Sequence, residues 1–121
     1  MIKINELRIG NYILTEVIRG GKTNIEPCKV NIGMIAYCAE IGTDEIEGNP
    51  IPLTPEILEK AGFEKDRNGC FWHKTGILII VDDNHEGFKY NVVVKERQLQ
   101  HLHQLQNLYF ALTREELEIN L

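Results

Sequence analysis

Four short stretches of this chain hold residue types that could do chemistry, and spacing decides what each can do. Arg19-Gly20-Gly21-Lys22-Thr23 ends like a phosphate-binding loop, in which backbone amides and a lysine cradle phosphates. The first glycine of that motif would fall at position 16, which is Glu16, and the segment lies between strand patterns rather than opening a long helix. What remains is a glycine turn flanked by Arg19 and Lys22, able to offer amides and positive charge to an anion. Asp82-Asp83-Asn84-His85-Glu86-Gly87 resembles the first half of a calcium loop, but the bidentate carboxylate due at its twelfth position is replaced by Val93.

Cys70-x-x-His73 and His101-x-His103 offer sulfur and imidazole to zinc. On a strand, positions 70 and 73 face opposite sides. On a helix, residues two apart are separated by roughly 200°, so His101 and His103 are not expected to meet on one ion. The chain contains no serine, and none of Cys28, Cys38 and Cys70 stands in a local context that marks a nucleophile. These spacings imply no catalytic residue, no metal and no cofactor. Histidine acid–base chemistry on a phosphodiester or nucleotide, through His85, His101 or His103, is the alternative enzymatic reading.

A different kind of signal closes the chain. Residues 98–113 carry no charge. At about 100° per residue, Leu99, Leu102, Leu105, Leu108, Tyr109 and Leu112 share one face of a helix running from Arg97 or Gln98 to Leu112. Gln100, His103, Gln104, Asn107 and Ala111 share the other. Long amides both donate and accept hydrogen bonds and cost less to desolvate than charges. That face suits partial burial against a polar ligand, a loop or another subunit. His103, Gln104 and Asn107 are therefore the candidate binding residues, together with Arg19 and Lys22 for an anionic group and Trp72 as an aromatic anchor. Asn107→Asp is expected to leave folding intact.

The elements that must position these residues follow from pattern. "LRIGNYIL" bends at Gly10-Asn11 and runs as strand through Ile18 to the Gly20-Gly21 turn, and "CKVNIGMIAYCAEIG" reads as a further strand bulged at Gly33. Together they predict a small curled antiparallel sheet. "TDEIEGNPIPL" reads as an extended connector. Thr54, Pro55 and Gly62 mark the cap, first turn and end of a short helix. Four strand patterns follow from Phe63 to Lys95, turning at Asn68-Gly69, at Thr75-Gly76 and within 82–87; the apolar run "ILIIV" predicts a central strand that the closing helix covers. Leu117, Ile119 and Leu121 alternate as a terminal strand, and a one-turn helix capped by Thr113, with Glu116 completing a capping box, competes for the first of these residues. The fold class is α+β: an N-terminal β unit over 1–48, then a capped helix, an antiparallel meander and a long amphipathic helix over 49–121.

With 121 residues, 43% of them hydrophobic, the chain has the content of a single domain. Its formal charge of −5 lacks the cationic footprint of a nucleic-acid binder. Three cysteines, an odd number, imply free thiols in a reducing compartment. No apolar run reaches the ~20 residues of a membrane span, and charges interrupt the opening segment where a signal peptide needs its apolar run. A cytoplasmic protein without a membrane partner is expected.

The segments "INELRIGNYI", "PIPLTPEILEKAGFEK" and "HQLQNLYFALTREELEI" resemble a family of small uncharacterised proteins of Bacteroidetes, their phages and mobile elements, with the weakest likeness between Val17 and Gly48. The resemblance implies a context rather than a reaction: an accessory protein of a mobile element, in a class rich in factors that interfere with host defence. The function expected is a non-catalytic binding protein that occupies a host protein or sequesters a small polar, nucleotide-like signal. A structural, homo-oligomeric interaction protein is the remaining alternative.

Overall fold

The structure, a computed structural model, describes residues 1–67, 69–80, 92–95 and 98–121. The fold is α+β. Two compact units divide the chain, one of Met1–Pro52 with His101–Glu116, the other of Leu53–Gln100 with Leu117–Leu121.

The first unit opens with β1 (Ile2–Lys3) and a 3-10 turn (Ile4–Glu6), then folds β2 (Tyr12–Arg19) against β3 (Lys22–Lys29) in unbroken antiparallel register from Tyr12↔Lys29 to Arg19↔Lys22. Gly20 and Gly21, at φ 57° and 78°, make the two-residue turn whose positive φ values match the twist of a hairpin. The next segment departs from expectation. Ile32–Ile41 is not a bulged strand but a helix, α1. Asn31 caps it, its Oδ1 accepting from the Met34 amide at 3.0 Å, and Gly42 ends it at φ 76°. Gly33 is no bulge: a Cβ there would come within 3.2 Å of the capping Oδ1, so its absence leaves room for the cap. Met34, Ile35 and Cys38 turn inward onto Ile2, Ile13, Val30 and Ile46. These caps and the inward stripe outweigh the weak strand preference of three isoleucines.

The connector supplies β4 (Glu45–Ile46), which pairs with β1, and β5 (Asn49–Pro50), which adds to β2 to give the order β3-β2-β5. The closing helix belongs to this unit. It begins later than the periodicity suggests, as α3 (Leu102–Thr113), because His101 is its extended N-cap and the Leu102 amide is bound to Ile51 O at 2.8 Å. Its stripe is shifted too, with His103 and Gln106 buried beside Leu102, Leu105 and Tyr109 while Leu112 is exposed.

In the second unit Thr54 caps α2 (Pro55–Lys60), its Oγ1 accepting from the Ile57 amide, and Gly62 follows at positive φ as expected. β6 (Glu64–Lys65), β7 (Phe71–Trp72) and β8 (Ile77–Ile80) form an antiparallel series, with β8 central as its apolar run predicts. The last pairing differs in direction from the others: β9 (Val92–Lys95) runs parallel to β8. The expected turn at 82–87, with its carboxylates and His85, lies outside the described residues, as does Asn68. Leu58 of α2 meets Phe71, Ile79 and Leu99 around a cavity of about 40 Å³, so α2 lies over this part of the sheet. The alternating tail is not a strand; Leu117 is buried and the segment is otherwise irregular.

Candidate functional site

The uncharged face of α3 is used within the first unit. Gln106, with its side chain buried, accepts from the Tyr12 amide through Oε1 at 2.8 Å and donates from Nε2 to Gly10 O at 3.2 Å. Asn107 accepts from Asn11 Nδ2 at 2.8 Å and donates to Glu6 O at 3.1 Å. Gln104 folds back so that Oε1 accepts from the His101 amide at 2.9 Å, half of a capping box. Asn11, fully buried, also accepts from the Arg8 amide at 2.7 Å. Arg8 binds both carboxylate oxygens of Glu116 and lies 4.1 Å from the centroid of the Phe110 ring. Amides serve here because the "LRIGNY" loop presents both amide hydrogens and carbonyls to one helix face, and a single amide side chain answers both. Asn107→Asp, which the pattern alone expects to leave folding intact, removes the donor to Glu6 O.

The histidine pair also differs from expectation. His101 stands outside the helix, so its ring stacks on that of His103, with centroids 5.7 Å apart and planes 8° from parallel. Ring lone pairs lie in the ring plane, and parallel planes point them side by side rather than at one ion. His103 is 2% exposed, with neither ring nitrogen hydrogen-bonded among the described residues. Burial pushes its pKa down, the neighbouring His101 adds to that, and Glu6 partly opposes it. His73 is also lowered, first by burial and then by Lys74; its Nδ1 lies 2.8 Å from Thr75 Oγ1. Among the described residues no three His, Cys, Asp or Glu side chains are grouped to hold a metal. Cys38 and Cys70 are buried, Cys28 is half-buried, and all three are free thiols.

The basic turn does not converge on α3. Tyr12 is hydrogen-bonded to Gln106, and Arg19 stands seven residues farther along the same strand, roughly 23 Å away at the usual rise. Arg19 is engaged by Glu26, Nε to Oε1 and Nη2 to Oε2 both at 3.0 Å, which also raises its pKa. Lys22 is exposed beside the turn. Trp72 is half-buried in β7, a strand of the second unit. Arg19 and Lys22 therefore form no single site with His103, Gln104 and Asn107.

Reading α1 as a strand hides a further surface among the described residues. Away from its inward stripe, α1 exposes Tyr37 (60%) and Ile41 (56%) on one edge and Ile32 (69%) on the other, with Gly33, Ala36 and Glu40 between them. Glu40 is the only charge in the helix. A helix apolar on all sides is normally buried on all sides, and contiguous exposed apolar surface marks an interaction site. The signals that could have revealed it are Asn31 and Gly42, a cap and a stop bracketing the run. A cleft of about 320 Å³ runs beside this helix, lined by Met34, Tyr37, Ile41 and Ile46 and rimmed by Glu45 and Glu47. No helix among the described residues is long and apolar enough to cross a membrane. Comparison with known family models, with curated proteins and with solved structures found no match.

Proposed function

We propose that this chain is a non-catalytic binding protein that acts by occupying a partner protein through the outer face of α1. One observation carries the reading: a helix that packs Met34, Ile35 and Cys38 inward also leaves Ile32, Tyr37 and Ile41 bare. Catalysis draws less support, since His103 is enclosed and His101 is stacked on it. Capture of a small nucleotide-like signal also draws less, because the amides of Gln104 and Asn107 already hold backbone groups and Arg19 is paired with Glu26. On the sequence resemblance, the setting is the cytoplasm of a host carrying a phage or mobile element, and the partner is a host protein of its defence.

A photo-crosslinking amino acid at position 37, introduced in the native host, tests this. A dominant adduct with one host protein is expected, lost when Ile41→Asp is added, and purified protein should turn over no nucleotide or phosphodiester. Absence of an adduct, or a turnover that disappears in His101→Ala, would overturn the reading.

A further inference from the structure

The α1 cleft continues into a second one. Met1 and Glu47 line both, and the second, about 440 Å³, lies between Leu14, Ile25 and the Gly48–Asn49 backbone. Glu16 and Ile25 are direct cross-strand partners, so Leu14, Glu16 and Ile18 share a hairpin face with Ile25. Ile18 and Ile25 are both exposed. An elongated apolar strip therefore runs from Ile41 and Tyr37 past Met1 to the hairpin. Among the described residues its charged side chains are Glu16, Glu45 and Glu47, with no lysine, arginine or histidine lining either cleft; Met1, which carries the terminal amino group, lines both. Lys3 is 3.9 Å from Asp44, and Lys29, cross-strand from Tyr12 on the same hairpin face, lies 5.4 Å from the centroid of the Tyr12 ring.

We infer that this strip is the docking groove for a cationic amphipathic helix of a partner protein, an inference that rests on the binding function proposed above. Apolar side chains at helical spacing fill the two clefts, as in other helix-in-groove recognition, and flanking lysines or arginines meet the carboxylate rim. A second copy of this chain fits badly, because a two-fold contact would set Glu16, Glu45 and Glu47 against acidic groups of the same kind. Nucleic acid and anionic lipid are disfavoured by the same sign of charge.

The test uses synthetic helix-forming peptides of about 18 residues, five turns, one built of leucine and lysine and one of leucine and glutamate, each with a fluorescent label. Anisotropy titration of the full chain should show saturable one-to-one binding of the lysine peptide, tighter than the glutamate peptide by at least about tenfold. Tyr37→Asp with Ile41→Asp should weaken it by about tenfold or more. Non-specific attraction to an acidic protein predicts the opposite, since these changes add negative charge. Glu16→Lys with Glu47→Lys leaves the apolar floor intact and should narrow or reverse the preference between the peptides. Equal affinity for the two peptides, indifference to the groove substitutions, or a dimer at about 50 mM salt would overturn the inference. If the host-cell adduct at position 37 forms on a partner segment without basic residues, the partner class is wrong and the binding function stands; if no adduct forms, both fail.

Discussion

Gln106 does what no apolar residue could do at its place, because the helix passes over a turn that presents an amide hydrogen and a carbonyl oxygen together. Gln106→Leu has similar volume but strands Tyr12 N–H and Gly10 C=O, and each buried unpaired group costs about 1–3 kcal/mol. A drop of about 2–4 kcal/mol in urea unfolding is expected; a midpoint within error of wild type would mean that water reaches these groups. Asn107→Asp should cost less, about 1–2 kcal/mol, since it keeps the bond from Asn11 Nδ2 and loses only that to Glu6 O. His103 acts in the opposite sense. Its folded pKa lies below the ordinary 6.5 because burial disfavours the charged ring. Between those two values the unfolded chain binds the extra proton, so the stability held above about pH 6.5 is lost as pH falls through that window. His103→Leu should therefore lose less stability than wild type between pH 7.5 and 5.5, measured by urea midpoints. Some acid sensitivity should persist, because His73 is shifted the same way. Equal losses in the two proteins would show that His103 does not titrate in this window.

Whether a helix or strand was legible depended on whether its ends carried side-chain signals. α2 was readable because Thr54, Pro55 and Gly62 act within a single turn of the residues they stop or start. The hairpin was readable from Gly20-Gly21, and the central place of β8 from its unbroken apolar run. α1 was misread because its isoleucines suit a strand and its outer face breaks the amphipathic pattern; the same bare residues that make the candidate surface erase the periodicity that would reveal it. The start of α3 was missed because Leu99 continues the leucine spacing, while the backbone bonds of Leu102 to Ile51 and of Gln100 to Leu53, which are long-range, hold residues 100–101 extended. At its other end α3 stops at Arg114, the only described non-glycine residue at positive φ, 60°. Glycine adopts that conformation without the Cβ clash. Arg114→Gly should raise stability by about 0.5–1 kcal/mol despite the greater freedom of the unfolded chain. A lower thermal midpoint would show that the arginine side chain contributes more than its backbone costs.

A protein of net charge −5 with a bare apolar strip is held apart from its own copies by charge and drawn to them by the strip. The two forces answer salt differently. Screening shortens the reach of the carboxylate rim from about 10 Å at 0.1 M to about 3 Å at 1 M, whereas burial of apolar surface is not weakened by that screening and still yields about 25 cal/mol per Å². Sedimentation at about 0.1 M sodium chloride should therefore give a single monomeric species, and at about 1 M a concentration-dependent association. Ile41→Asp places a charge within the strip and should keep the chain monomeric at both. A cationic amphipathic peptide seated in the groove should do the same, covering the floor that a second copy would use. Identical behaviour at the two salt concentrations, or association that survives Ile41→Asp, would show that the acidic rim and the α1 face do not together govern what this surface accepts.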